Sequence, residues 1–406
     1  MRINIIYILI FLISLSANAQ NLNDYLSEAA ENNPALKSFQ YKYESALEKV
    51  VEVGSVPNTS FGVGYFVQTP ETRVGAQRAK LSIAQKLPWF GTLEAKKESA
   101  TFKAEAQSNQ FDFIRRKLFL DVKSIYFELF ELQATKAILN ENIEIMKTFE
   151  ELALIELENN RSTMVDVLKI RMEKNELYNT LHKIEENTIA KTTAFNLLLN
   201  RDENTVVNII ETITLNENDT FNKADITNNP KVLQLNNLES ALEKAELAVK
   251  KEGLPMIGLK LDYVVVDERD MADLVDNGKD IIMPMVTISI PLFSKKYSSK
   301  QKQLRLDQKA VATNRTNTVN KLNTIFSKAS RGISNSKVAI KTQVKNINEA
   351  DRAKEVLFAA YETSKIDFEQ LLEIQQLKLK FQLKKVVAEK QYSIQKSTLE
   401  FLTKNN

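Results

Sequence analysis

The sequence predicts a mainly α-helical protein with a four-stranded β contribution, organised as two internal repeats that each supply a long antiparallel helical hairpin. Three observations carry this. From Gly91 to about Leu157 no further proline or glycine occurs, and apolar residues recur every three or four positions. Four segments of about ten residues alternate apolar and polar side chains with period two. Landmarks of the first half return in the second at matched spacing.

The chain opens with Arg2, an apolar run from Ile5 to Ile13 and then Ala17-Asn18-Ala19. This reads as a secretory signal peptide over residues 1–19, the run being short of the ~20 residues a spanning helix needs. The first repeat is expected over 20–200. Its first helix runs from about Leu22 to Val53 with Pro34 near an early turn. Strands follow at about 57–67, with Phe61, Val63, Tyr65 and Val67 on one side, and at about 79–88, with Leu81, Ile83 and Leu87. The loop from Gln68 to Gln77 holds Pro70 and Gly75.

Pro88, which cannot donate to a sheet ladder, ends the second strand and releases the long helix. One seam of that helix follows Leu118, Val122, Ile125, Leu129, Leu132, Leu139, Ile143 and Met146, a heptad spacing broken at Lys136 and Glu150. A second seam takes Leu120, Phe127, Ala134, Ile138, Ile145, Phe149 and Leu152, so neighbours are expected on both sides. At 1.5 Å per residue the rod would be roughly 100 Å long, and isolated propensity does not sustain such a helix without partners. It turns near Asn159-Asn160-Arg161-Ser162 into a returning helix that ends at about Asn200.

Residues 201–227 form a polar linker in which Val206 to Ile213 reads as a short strand. The second repeat covers 228–406. Asn32-Asn33-Pro34 recurs as Asn228-Asn229-Pro230, and Glu44-Ser45-Ala46-Leu47-Glu48-Lys49 as Glu239-Ser240-Ala241-Leu242-Glu243-Lys244. A helix from Pro230 to Lys251 leads to strands at about 256–266 and 281–291, joined by an acidic loop from Asp267 to Asp280. The second long helix keeps a seven-residue step through Val319, Phe326, Ile333, Ile340 and Ile347, with smaller flanking residues at Leu322, Ala329, Ser336 and Ala350. It turns near Thr363-Ser364-Lys365 into a helix running to the carboxyl end.

Composition narrows the function classes. The 406 residues carry 55 Lys and Arg against 52 Asp and Glu, spread along the helices, which gives no reason to expect nucleic-acid binding. No cysteine is present, so disulfides, thiolate metal sites and lipid attachment through a terminal cysteine are excluded. His182 is the sole histidine, leaving neither a histidine metal site nor a catalytic triad within one chain. Ser334-Asn335-Ser336-Lys337 fits S-x-x-K only by chance inside a helix, and Gly62-Val63-Gly64 lies in a strand without a following helix. The methionines, Met283 and Met285 among them, are scattered. No metal, cofactor or catalytic residue is expected.

Ten residues suit a tilted strand crossing a bilayer. Phe61, Tyr65, Trp89, Tyr263 and Phe293 lie near strand ends, where they form either an interfacial aromatic girdle or ordinary hairpin packing. Four strands do not close a barrel, and lipid does not tolerate an open sheet edge. Three copies would give twelve strands and twelve helices, so the chain is expected to be trimeric.

In the order, spacing and duplication of these pieces the chain resembles the TolC family of outer-membrane efflux ducts. The matching pieces are the Asn-Pro near each half's start, the alternating strand pairs, Gln85-Lys86-Leu87-Pro88 and Ile288-Ser289-Ile290-Pro291, and Ser162 through Leu168. The resemblance implies a trimeric outer-membrane β-barrel continued by an α-barrel through the periplasm. It also implies docking to a periplasmic adaptor and an inner-membrane pump of RND or ABC type, with the duct itself catalysing nothing. In the family, acids just after the hairpin turns line a periplasmic entrance. The match of Val165-Asp166-Val167-Leu168 puts Asp166 there, the repeat carries the position to Glu369, and Glu373 follows one turn on. Lys169 departs from the pattern where a second acid is expected, and the alternative reading makes all three acids ordinary solvated helix residues. The competing readings are a periplasmic adaptor, which carries one hairpin with compact β-domains, and a secreted coiled-coil structural protein.

Overall fold

The computed structural model describes residues 21–159, 161–216, 219–270, 273, 275–292, 295–362, 366 and 368–403. The signal-peptide segment, Phe293 and the turn at Thr363-Ser364-Lys365 lie outside them. In chain order the elements are α1 (Leu22–Asn32), α2 (Pro34–Gly54), β1 (Ser60–Tyr65), β2 (Glu71–Thr72), β3 (Gly75–Leu87), α3 (Thr92–Glu158) and α4 (Met164–Leu198). After a 3-10 turn (Lys223–Asn228) come α5 (Pro230–Glu252), β4 (Met256–Val266), β5 (Ile281–Ser289), α6 (Lys295–Glu362) and α7 (Phe368–Thr403). The long helices have 67 and 68 residues, the returning helices 35 and 36. None of the described helices is long and apolar enough to cross a membrane.

The chain divides into two compact units, and α3 and α6 each contribute to both. One comprises the described residues within 1–38, 112–229 and 320–406. Here the first seam of α3 is buried at Leu118, Val122, Leu129, Leu139, Ile143 and Met146. The second seam is mostly half-exposed, Phe149 being its buried member. On α6 the small flanking positions Ala329, Ser336 and Ala350 are buried, which lets a neighbouring backbone approach closely. The heptad breaks are inter-helix ion pairs: Lys136 bonds Glu185 at 2.8 Å, and Glu150 pairs with Arg171 and Lys174.

The duplicated Asn-Asn-Pro has a physical meaning in the same unit. Asn33 interrupts the helix expected from Leu22 to Val53, separating α1 from α2, and its side-chain Oδ1 accepts from the Leu36 amide at 3.1 Å. Its Nδ2 donates to the Leu198 carbonyl at the end of α4 (2.9 Å). Asn229 likewise donates to the Leu402 carbonyl at the end of α7 (3.1 Å). Each asparagine satisfies a carbonyl that a helix C-terminus leaves without an intrahelical partner.

The linker does not form the strand expected from Val206 to Ile213. Residues 201–216 run without regular structure, and their amides find buried tyrosine hydroxyls instead of a ladder. Asn208 N donates to Tyr25 Oη (2.9 Å), Ile210 N to Tyr126 Oη (3.1 Å) and Asn216 N to Tyr392 Oη (3.1 Å). Asn196 Nδ2 holds the linker's start through the carbonyls of Glu203 and Thr205, both at 2.8 Å. Near its end Asp219 accepts from Tyr392 and pairs with Lys396 at 2.9 Å.

The second unit comprises residues 39–111 and 230–319 and carries the sheet. Its order is β1-β3-β4-β5, antiparallel throughout, with the two-residue β2 pairing against β3. β3 begins at Gly75, four residues before the expected start, so the loop after β1 is shorter than the sequence suggested. Gly75 has φ +139°, and a Cβ there would lie 1.7 Å from the Asp267 carbonyl oxygen, so this turn accepts only glycine. Helices below the sheet are cross-tied by Ser99 Oγ to the Ala241 carbonyl (2.8 Å) and by Lys244 to Glu98 (2.9 Å).

Candidate functional site

In the first unit the candidate entrance residues gather at the starts of the returning helices. Beneath them Phe149, Val167, Ile170, Phe368, Leu371 and Leu372 belong to one buried cluster, with Phe149 and Phe368 meeting edge to face at 5.2 Å. Asp166 is the third residue of α4 and closes a capping box: its Oδ2 accepts from Thr163 N (2.9 Å), while its own amide donates to Thr163 Oγ1 (3.3 Å). Partial burial pushes its pKa up. The hydrogen bonds from Thr163 and Ser162 and the charge of Lys169 outweigh this and hold it below the usual carboxylate range. Asp166 is therefore the ionised third residue of a capping box whose N-cap is Thr163.

Glu369 stands at the matching place in α7 and accepts from Lys169 Nζ at 2.6 Å. Glu373 is exposed one turn on, and with Asp166 and Glu369 it raises the Lys169 pKa, the hydrogen bond from Lys169 to Glu369 being the largest cause. The three acids thus act on one cation, and the residue that departed from the family pattern is their counter-ion. Glu173 and Gln376 extend the link between α4 and α7 at 2.9 Å. Around Glu150, the hydrogen bonds from Lys174 and Arg171 hold the carboxylate below its ordinary pKa. An open groove of about 410 Å³ lies between α3 and α6, lined by Ile145, Phe149 and Phe358 with Lys354 and Glu355 at its rim.

In the second unit the register sorts the sheet into two unlike faces. On one, Phe61, Ile83, Leu261 and Pro284 form a cross-strand row; Val63, Leu81, Tyr263 and Ile282 form the next. Leu259 with Val286 and Ile257 with Ile288 extend it. Phe61 is 79% exposed, Val63 83% and Val286 67%. The other face carries Ser60, Gly62, Ser82, Ala84, Lys80, Lys260, Asp262 and Thr287, with Val264, Ile281, Met283 and Met285 among them. Asp262 is fully buried there, 2.7 Å from Lys80 and 3.0 Å from Lys260. A Cβ on Gly258 would lie 2.3 Å from Thr287 Oγ1, so glycine leaves room for the cross-strand hydroxyl. Among the described residues β1 and β5 each pair along one side only.

The aromatic candidates are dispersed differently from one another. Phe61 and Tyr65 stand exposed in β1, while Tyr263 is on the apolar face of β4 and donates to Asp280, the residue just before β5. Trp89 is not on the sheet. It is half-buried beyond β3, stacked edge to face with Phe90 at 6.1 Å and lining a groove with Pro88, Lys96 and Tyr297. Sequence reasoning missed the Asp262 pair of lysines, visible only as single charges at even positions of β3 and β4, and the three tyrosines that hold the linker, which carry no local signal. Among the described residues no cluster of metal-ligating side chains occurs.

No protein-family model matches the chain, and no curated protein matches it. Solved structures do. The chain is 14% identical to CusC, described as forming a transmembrane channel, with a TM-score of 0.80 over 97% of this chain and 96% of that one. The outer-membrane protein VceC from Vibrio cholerae gives 14% identity and a TM-score of 0.77, covering 94% and 96%. The CmeC outer-membrane channel of Campylobacter jejuni gives 13% and 0.76, covering 95% and 85%. The TolC-family resemblance is thus borne out at the level of architecture: the chain has the fold of these outer-membrane channel proteins.

Proposed function

We propose that this chain is a passive exit duct of the TolC family in the outer membrane, working with a periplasmic adaptor and an inner-membrane pump. The observation that carries the reading is the two-faced sheet. An exposed apolar face several strands wide marks a surface that water does not cover in use, and its opposite face holds every regularly paired charge of the four strands. Lipid outside and water inside is the arrangement that suits such a sheet. One copy leaves two unpaired edges, which lipid does not tolerate. Three copies close a twelve-stranded barrel, and the half-exposed second seam of α3 then faces helices of a neighbouring copy in an α-barrel. The matched element lengths of the halves and the shared role of Asn33 and Asn229 support the two-repeat reading.

Transport in this scheme needs no catalysis by the duct. Asp166, Glu369 and Glu373 line the periplasmic entrance, with Lys169 restraining Glu369, and the groove at Ile145, Phe149 and Phe358 offers an apolar seat for an adaptor helix. The test is fractionation with detergent extraction. A heat-modifiable trimer in outer membranes supports the duct, and a fully soluble periplasmic product refutes it.

A further inference from the structure

The polar face of the sheet carries a charge imbalance that a duct as such does not require. In regular register the four strands contain the charged residues Lys80, Lys86, Lys260 and Asp262, all on this face. Lys80 and Lys260 share one carboxylate: Asp262 Oδ2 is 2.7 Å from Lys80 Nζ, and Oδ1 is 3.0 Å from Lys260 Nζ. One positive charge is left over by that cluster. Lys86, exposed and opposite Gly258, adds another. The neighbours on the face are small or uncharged, among them Ser82, Ala84, Gly258 and Thr287, so nothing else there offsets the excess.

Acids do lie beyond the strand ends. Asp267, Glu268, Asp270, Asp273 and Asp276 follow β4, and Arg78, at a register shift in β3, is paired with Asp267. From Lys260 to Asp267 the strand rises roughly 20 Å, and Lys86, opposite Gly258, is farther still. That exceeds the ~10 Å over which charges act in 0.1 M salt. Lys86 and Lys260 therefore lie apart from the acidic rim, whereas Lys80, opposite Val264 and three residues from Asp267, stands about 10 Å from it, at its border.

Resting on the duct reading, we infer that Lys80, Lys86 and Lys260 form an electropositive band inside the barrel that sets a preference for anionic solutes at this level of the pore. Low-dielectric walls focus the field of such a band on the water between them.

The experiment uses the full-length protein in planar bilayers, with the reversal potential measured under a tenfold KCl gradient at a mean of about 0.1 M salt. The combined Lys80→Gln, Lys86→Gln and Lys260→Gln variant is expected to lower the chloride-to-potassium permeability ratio roughly tenfold, the low end of the enrichment such a cleft gives. Asp262→Asn is expected to raise it. Both shifts should shrink in 1 M KCl, where screening acts within about 3 Å. Lys86→Gln alone touches no carboxylate of the cluster and reads the same effect where the combined variant does not assemble, while Lys86→Arg should leave the ratio unchanged. Channels of ordinary conductance whose ratio ignores all of these substitutions would overturn the band while leaving the duct intact. Failure of the unaltered protein to form any channel would overturn both.

Discussion

Tyr126→Phe is the sharpest probe of how the linker is held. The Tyr126 side chain is buried, and its ring lies 5.6 Å from Phe127 and 6.3 Å from Phe195, contacts that phenylalanine preserves. Only the hydroxyl is lost, and with it the acceptor of the Ile210 amide at 3.1 Å. A donor left dry costs about 1–3 kcal/mol. Because Ile210 is 42% exposed, water can reach the freed amide, and the lower end, about 1 kcal/mol, applies. At 1.4 kcal/mol per factor of ten this corresponds to roughly fivefold faster amide exchange. Hydrogen exchange resolved over residues 205–216 reads it, with α3 as the internal reference. Tyr392→Phe should do more, since that hydroxyl also donates to the Asp219 carboxylate, a charge-assisted bond worth about 1.5–3 kcal/mol. Tyr25 and Tyr126 lie 6.2 Å apart, close enough for their effects to couple rather than add. Unchanged exchange in 205–216, or an equal rise throughout α3, would refute the strap.

Other expectations follow from the same structure. Asp166→Ala with Glu369→Ala should raise single-channel conductance, and unchanged conductance would count against the entrance assignment. Because the Asp166 carboxyl is held below its ordinary pKa in the folded chain, its capping contribution is fully present above the unfolded value and is lost as pH falls through the folded one; circular dichroism should therefore show α4 losing helix only below the usual carboxylate range, and less pH dependence in Asp166→Asn. Leu81→Lys, on the apolar face, should cost about 2–4 kcal/mol if it lies near the bilayer midplane and reduce the trimer recovered from membranes, whereas Ser82→Lys on the other face should not. Asn33→Ala and Asn229→Ala should each lower the thermal transition by a similar amount, as loss of equivalent helix-end bonds of about 1 kcal/mol predicts; a large disparity would contradict their shared role.

The elements that could be read from the sequence are those whose signal is local. Leu81 and Leu261 alternate with polar neighbours, and β4 carries this pattern through Leu259, Leu261 and Tyr263 within Met256–Val266. The long helices were equally legible, since Gly91 and Pro88 punctuate α3 at one end and Asn159 at the other. The linker was not. Val206 to Ile213 is rich in β-branched residues like a strand, but its partners are hydroxyls on Tyr25 and Tyr126, brought in from distant parts of the chain, and no periodicity announces them. Asn33 was legible as a repeated motif but not as a break, because its effect depends on the Leu198 carbonyl. At the hairpin ends, Lys169 was visible as an odd residue. Its meaning required Glu369, which reaches it only through the packing of α4 against α7.

Cysteine scanning along β4 and β5 tests the central claim most directly, because the natural chain contains no cysteine. In intact outer membranes, Leu259→Cys, Leu261→Cys and Val286→Cys should react with a lipid-soluble maleimide and resist a charged thiol reagent, while Lys260→Cys and Thr287→Cys should react with the charged reagent. Equal reaction of both sets with the charged reagent, in protein that fractionates with the soluble periplasm, would contradict the account.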